Sequence, residues 1–521
     1  MQLLRNFATV GAFTAASRVL GFARDILVAA LLGAGPVADA FFVAFKLPNL
    51  FRRLFAEGAF NSAFVPLFAR VRAEEGETGA ETFASSVLSW LLIVLLVLTT
   101  IAELFTPFFI FVLAPGFAAD SKVDLAVLFT RICFPYLMAM SLVAFLSGIL
   151  NTLDRFAAAA FAPVLLNIVM ISALGFAAFA GMDQENAGYV LAWGVFAAGL
   201  AQVVLLAVAV RRIGVRLRLP RPRPSPRLKR LLILGLPGVA AGGITQINIV
   251  VGTIIASFWP AAVSHLYYAD RLYQLPLGIV GIALGVALLP DLSRRLRNGD
   301  VGGALWTQNR AFEFALMLTL PAAAALIVVP LEIVVTLFER GAFDREDAAL
   351  TAAAVAAYGF GLPAFVLIKV FSPAYFARED TATPMLYAGI SMLVNVGGSI
   401  VLARLLAPQG LPHVGIAAAT SIAGWVNAIL LFVGLLRRGD FKPDPLLWSR
   451  ALGFLAASLA LMIGAVLIAR GLDGWFFSAG LLQAVAALAI LVGGSALIFA
   501  LVCEMSGAIG VRDVMRALRR R

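Results

Sequence analysis

Asp39 to Phe60 reads DAFFVAFKLPNLFRRLFAEGAF. As a helix rising about 1.5 Å per residue it is long enough to cross a hydrocarbon core of roughly 30 Å. Apolar residues dominate it, yet Asp39, Lys46 and Arg53 recur every seven positions and stack along one helical face. Glu57 lies four beyond Arg53, and Asn49 and Asn61 fall near the same stripe. A charge at the bilayer centre costs at least ~2.5–3.5 kcal/mol on insertion scales, so such a stripe normally faces a cavity or a partner. The stretch reads as a membrane helix with one polar side.

The segment before it repeats the pattern. Ser17 to Asp25 reads SRVLGFARD, and Arg18 and Asp25 share a face by the same spacing. If this first helix rises from near residue 7, Arg18 lies roughly 16 Å and Arg24 roughly 25 Å into it. Neither is an interfacial anchor. Asp270 and Arg271 make a third intramembrane charge cluster, in the eighth apolar segment. Internal ion pairs such as Arg53 with Glu57, or Arg24 with Asp39, would be the structural explanation. Helices 1 and 2, however, hold five cations (Arg18, Arg24, Lys46, Arg52, Arg53) against three carboxylates (Asp25, Asp39, Glu57). Pairing cannot neutralise them all, so the surplus favours a cation-lined transport cavity. Arginine supplies a planar fork suited to phosphate, so an anionic, phosphate-bearing substrate follows.

The rest of the chain agrees with a lipid solvent. Of 521 residues 62% are hydrophobic and 13% charged, where soluble domains carry roughly 25% charged residues. Fourteen apolar segments can be counted, among them 7–33, 38–69, 83–113, 123–150, 262–293, 305–330 and 347–377. The net charge of +11 reflects cations clustered in alternate short loops, an orientation signal rather than a nucleic-acid site. By that rule both termini are cytoplasmic. Met1 to Arg5 reads as the start of a retained first helix, not a cleaved signal. The basic, proline-rich stretch RLRLPRPRPSPRLKR is a cytoplasmic linker that cannot stay helical, with acidic lipid headgroups as natural neighbours.

It separates halves that look like repeats. Pro48 and Pro276, Pro135 and Pro363, and Asn167 and Asn395 are each 228 residues apart. The expected fold is an all-α polytopic membrane protein of fourteen transmembrane helices. It has an N-lobe over 1–210, the linker over 211–230 and a C-lobe over 231–437. Helices 13 and 14 and a basic tail fill 438–521. Each lobe holds six helices, an even number, so the lobes are related by a pseudo-two-fold axis along the membrane normal.

Several features carry less. Cys133 and Cys503 sit inside apolar runs as packing residues, and His265 and His413 are expected in short loops without neighbouring ligands, so no metal site is expected. Arg131, Lys369, Glu103 and Glu313 are isolated intramembrane charges. The run Gly278, Gly281, Gly285 reads as small-residue helix packing. No GxxxxGK[ST] phosphate loop occurs, and no loop is long enough to host a catalytic domain, so an enzyme is not expected.

The SRVLGFARD and DAFFVAFKLPNLFRRLFAEGAF blocks resemble the MurJ/MviN family of lipid II flippases. APGF (Ala114 to Phe117), FPY (Phe134 to Tyr136), ILNT (Ile149 to Thr152), FAPVLLN (Phe161 to Asn167) and YYADRL (Tyr267 to Leu272) extend the likeness. The resemblance implies the multidrug/oligosaccharidyl-lipid/polysaccharide exporter fold, two lobes around a V-shaped cavity. It implies that lipid II, the undecaprenyl-diphosphate-linked peptidoglycan precursor, is flipped across the inner membrane by alternating access in cell-wall biogenesis. It implies Arg18, Arg24, Arg52 and Arg271 as substrate-binding cations and Asp39 as an essential acid. Asp25, Lys46, Arg53, Glu57 and Asp270 are the remaining cavity or gating candidates. No cofactor is expected; the energy source would be membrane potential or a coupling ion, Na+, H+ or Cl−. Partners would be lipid II, membrane lipids and the cell-wall synthesis machinery, with the chain a monomer. From the residues alone, a flippase for another lipid-linked oligosaccharide, or a non-transporting scaffold for cell-wall enzymes, stays open.

Overall fold

The computed structural model describes residues 2–51, 61–119, 122–478 and 480–508. Among them every named element is a helix, and the one β-bridge, between Arg340 and Phe343, is isolated. Packing divides the chain into two compact units. One is Met1–Ser264 with Arg340–Phe343; the other is His265–Glu339 with Asp344–Arg521.

The first unit holds α1 (Gln2–Leu32), α2 (Pro36–Phe51), α3 (Asn61–Leu104) and α4 (Thr106–Leu113). It continues with α5 (Lys122–Cys133), α6 (Tyr136–Thr152), α7 (Phe156–Phe179), α8 (Gln184–Arg212) and α9 (Pro226–Ala256). The loop expected over 70–82 is instead helical. α3 runs through it, broken only at Gly76, whose φ of 73° is a state that a side chain disfavours. The span expected at 123–150 is two helices, parted at Phe134 and Pro135, where proline has no N–H to continue the ladder. Phe64 joins α3 to α6, its ring centroid 5.1 Å from Phe145 and 5.5 Å from Phe68. Such pairs add about 0.5–1.5 kcal/mol each beyond their buried area.

Residues 215–225 run extended along α3. The amide of Arg216 donates to Glu81 Oε1 at 2.8 Å, that of Arg218 to Ser85 Oγ at 3.0 Å, and Trp90 Nε1 to the Arg223 carbonyl at 3.3 Å. Val215 and Leu217 pack on the core below. The basic stretch is thus fastened at regular steps, with Arg216, Arg218, Arg221 and Arg223 exposed.

The second unit takes most of α10 (Ala262–Arg297), whose first three residues belong to the first. It then holds α11 (Val301–Val328), α12 (Pro330–Phe338), α13 (Arg345–Phe376), α14 (Ala382–Leu406) and α15 (Pro412–Arg438). α16 (Pro445–Gly471), α17 (Asp473–Phe477) and α18 (Leu481–Met505) complete it. α12 was not expected; its proline start separates it from α11. Phe312, Phe371, Phe432 and Phe441 form the aromatic centre, with Phe312 and Phe371 at 5.3 Å. Buried Glu313 forms an ion pair with Arg310 at 2.6 Å and accepts a hydrogen bond from Arg450 at 2.9 Å. It fastens α16 to α11, so that intramembrane charge is structural.

Among the described residues ten segments are long and apolar enough to cross a membrane. The sequence spans outside that group correspond to α1, α2, α9 and α10, and α1, α2 and α10 are the carriers of the charge clusters. In Lys122–Thr152 and in Arg345–Phe376, 67% of the most apolar window is buried, against 17% in Leu481–Met505. Those two spans are therefore central in their units, and they contain Pro135 and Pro363. On α16, Leu452, Leu455, Leu459, Ile463 and Leu467 are exposed. Lipid is the only solvent in which that face is stable, and the chain is a multi-pass membrane protein.

Candidate functional site

In the first unit the charges of α1 and α2 fall into two clusters. Arg24 Nε and Nη2 both donate to Asp25 Oδ1, at 3.0 and 2.7 Å. Nη1 donates to Asn167 Oδ1 on α7 at 3.0 Å, and Asn167 Nδ2 returns to the Ser17 carbonyl at 2.9 Å. With 11% and 4% of their side chains exposed, Arg24 and Asp25 form a neutralised, nearly immobile pair that ties α1 to α7. One helical turn and a half earlier, Arg18 is exposed and makes no ion pair or side-chain hydrogen bond among the described residues. Among the described side chains of α1, its charge is the uncompensated one.

Asp39 is fully buried and accepts four hydrogen bonds. Oδ1 takes the amide of Ser264 at 2.9 Å and its hydroxyl at 2.8 Å. Oδ2 takes the amide of Ala261 at 3.0 Å and the ammonium of Lys122 at 3.3 Å. The amides at the start of α10 have no intrahelical acceptor, and their end carries the positive pole of the helix dipole. A carboxylate from α2 therefore caps a helix to which it does not belong, and Lys122 balances its charge. The expected alternative, Arg24 with Asp39, does not occur, because each acid is engaged by a nearer cation. With its lone pairs committed, Asp39 acts as a fastener at this end of α2 rather than a ligand. Seven residues on, the Lys46 ammonium donates to the Thr253 hydroxyl of α9. Arg52, Arg53 and Glu57 lie outside the described residues.

In the second unit, Asp270 accepts from the Gln274 side chain one turn along α10. The guanidinium of Arg271 lies 4.4 Å over the Tyr267 ring, a cation–π contact. Tyr273 packs against Tyr358 of α13, ring centroids 4.8 Å apart. At Gly281 a Cβ would come within 2.5 Å of Lys369 Nζ. This glycine makes room for a lysine, a more specific role than the helix packing expected of it. The two histidines are not in loops. His265 and His413 are buried in α10 and α15 with rings 5.1 Å apart, and His265 Nδ1 meets the Thr351 hydroxyl at 3.1 Å. Among the described residues no group of three or more His, Cys, Asp and Glu side chains could hold a metal ion.

Sequence reasoning missed Lys122, which stands one residue before the span expected at 123–150. It also missed Asn167 as the partner of Arg24, although the 228-residue match had marked that position. Its counterpart Asn395 is likewise buried, accepting from Thr420 at 3.2 Å. A buried Asn at matching places in two apolar helices was the signal available.

Comparison with known proteins bears on this arrangement. The family model described as lipid II flippase MurJ matches residues 28–485. A probable lipid II flippase MurJ of Rhizobium meliloti (strain 1021) is 52% identical, over 91% of this chain and 86% of that protein. The lipid II flippase MurJ of Burkholderia cenocepacia is 35% identical, over 91% and 90%. A solved structure of lipid II flippase MurJ, in an inward closed conformation, superposes with a TM-score of 0.76 at 25% identity, covering 97% of this chain and 99% of that one. An inward-facing transporter of the multidrug resistance MATE family shares the fold, with a TM-score of 0.67 at 17% identity over 81% and 94%.

Proposed function

We propose, from the premise that this chain belongs to the lipid II flippase MurJ family, that it moves lipid II from the cytoplasmic to the external leaflet by alternating access. The observation that carries the reading is the pairing pattern on α1. Arg24 is neutralised and immobilised by Asp25 and Asn167, while Arg18, on the same helix, keeps an uncompensated guanidinium. One arginine is built into the wall and another is available to an anion. The diphosphate is the group such a cation would grip, with Arg52 and Arg271 as further ligands. The fork geometry of arginine suits it better than lysine.

In this reading the chain has fourteen transmembrane helices. Two six-helix lobes over 1–210 and 231–437 are joined by the linker 211–230, with two helices and a tail over 438–521. Both termini are cytoplasmic. Asp39 releases Ser264 and Ala261 when the outer end opens, and reforms those bonds when it closes. Lys46, Arg53, Glu57 and Asp270 line the path or its gates. The membrane potential suits the direction of transport, since each negative charge carried outward gains about 2.3 kcal/mol per 100 mV. A coupling ion is then not required. The chain works as a monomer in the inner membrane, beside the cell-wall synthesis machinery that supplies and uses lipid II, and performs no bond chemistry.

Depleting the protein from growing cells tests this. Lipid II should accumulate where an impermeant, headgroup-modifying reagent cannot reach it. Undiminished modification in depleted cells would overturn the proposal.

A further inference from the structure

The strap that joins α8 to α9 is held along one edge and open along the other. Residues 215–219 read VRLRL. Val215 and Leu217 pack on the core, while Arg216, Arg218 and Leu219 are exposed. The amides of Arg216 and Arg218 donate to Glu81 and Ser85, one turn apart on α3. Two extended residues advance about 6.6 Å and four helical residues about 6 Å, so strap and helix keep register. Successive N–H groups of an extended chain point to opposite edges, so those of Leu217 and Leu219 face away from α3. Among the described residues neither has an acceptor. Pro220, which has no N–H, ends this open edge. Such an edge is a template for pairing with another chain.

The charge around it is one-sided. Nine cations over 211–230, two over 70–82 and Arg155 stand against four glutamates of α3 and Asp154, a surplus of seven. Those glutamates are engaged: Glu74 by Arg70, Glu75 by Arg227, Glu77 by Arg72 and Glu81 by the Arg216 amide. Among the described residues Arg216, Arg218, Arg221 and Arg223 make no ion pair. The strap also stands off the bilayer at one end. Trp90, which meets the Arg223 carbonyl, adjoins the apolar run 91–98 and marks the interface. Glu81 precedes it by nine residues, roughly 13 Å of helix, where a headgroup layer is about 5–7 Å deep. The Arg216 end of the open edge is therefore clear of the lipid headgroups.

We propose that residues 215–219 are a docking edge for an acidic, extended peptide segment of another protein. The segment adds alongside the strap, its main chain pairing with the Leu217 and Leu219 amides. Its carboxylates meet Arg216 and Arg218 and, beyond the ladder, Arg221 and Arg223. Charge complementarity calls for an acidic partner, and the open main-chain edge calls for a peptide, since a lipid headgroup uses charge alone. The proposal rests on the topology given above only in placing that partner in the cytoplasm. The binding itself needs neither lipid II nor transport.

The test uses the full chain in nanodiscs of phosphatidylcholine. The probe is a fluorescent heptapeptide of alternating Glu and Thr, and binding is read by anisotropy. It should bind saturably. An exposed ion pair contributes about threefold, so Arg216→Gln/Arg218→Gln should weaken it about tenfold. Leu219→Pro removes one open amide at an exposed side chain, 67% accessible, and should weaken it about fivefold. Arg437→Gln, an exposed cation at the end of α15, should change nothing. The same peptide N-methylated at every second residue keeps its charge but cannot pair along one edge, and the two such isomers should differ, one binding normally and the other poorly. Phosphatidylglycerol added to the nanodiscs should not displace the probe. No saturable binding would overturn the proposal. So would equal binding of the two N-methylated isomers, displacement by phosphatidylglycerol, or an equal loss in Arg437→Gln. Should the double glutamine variant fail to fold, the N-methylated isomers decide on the wild-type chain.

Discussion

Replacing Asp39 with Asn should destabilise the first unit far more than an isosteric change suggests. The carboxylate serves four donors with two oxygens: Ser264 amide and hydroxyl on Oδ1, Ala261 amide and Lys122 ammonium on Oδ2. An asparagine offers one carbonyl oxygen. If that oxygen keeps Ser264, the new NH2 group points at the Ala261 N–H and the Lys122 ammonium, donor against donor. Lys122 is only 4% exposed, so its charge stays buried after losing the carboxylate it pairs with. Removing one partner of a buried ion pair costs about 3–5 kcal/mol. At roughly 2 °C or more per kcal/mol for a unit of this size, the melting midpoint of purified protein should drop by about 6 °C or more. Adding Lys122→Met to Asp39→Asn removes that buried charge and should recover part of the loss, whereas Lys122→Met alone takes the cation away from the Asp39 carboxylate. A variant Asp39→Asn that melts with the wild type, or a double variant no better than the single, would refute the argument.

Other outcomes follow from the same geometry. Arg24→Ala should lose both transport and thermal stability, because the buried Asp25 and Asn167 each lose the guanidinium that donates to them, and Arg24→Lys should restore each only in part. Arg18→Ala should lose transport with its melting midpoint unchanged, since the side chain is exposed and bonds to no side chain among the described residues. Between α13 and α14, the Asp380 carboxyl is pulled down to about 2, first by the Thr383 amide and then by Arg438. Its folded value lies below the usual value of about 3.9, so its stabilisation is present at neutral pH. It should fade as pH falls from about 4 through about 2, a limb that Asp380→Asn flattens in melts against pH. Cysteine at Ser225 should escape an impermeant thiol reagent in intact cells while cysteine at Gln184 is labelled; the reverse would invert the proposed topology.

Much of the architecture was legible because bilayer thickness and loop charge act on composition, which a single sequence carries openly. The span expected at 347–377 became α13, Arg345–Phe376, and was read almost to its ends. The polar helices were harder. A seven-residue spacing identified Arg18, Asp25, Asp39 and Lys46 as belonging to faces, but not which face each partner came from. Asp39 bonds across more than two hundred residues to the start of α10, a contact that tertiary packing alone creates. Lys122 was hidden because a cation just before a span looks like an orientation signal until its burial is known. Gly76 shows the opposite failure. The gap between the spans expected at 38–69 and 83–113 implied a loop, yet helix persists on both sides of a single left-handed residue.

In the proposed mechanism this chain moves lipid II, with the Arg18 guanidinium of α1 gripping the diphosphate. Purified protein in sealed vesicles, loaded with reporter-labelled lipid II in one leaflet, tests it through transfer to the other. Wild type should move the lipid faster than protein-free vesicles, and Arg18→Ala, equally stable, should not. Transfer by the wild type no faster than in empty vesicles, or undiminished transfer by Arg18→Ala, would contradict the account.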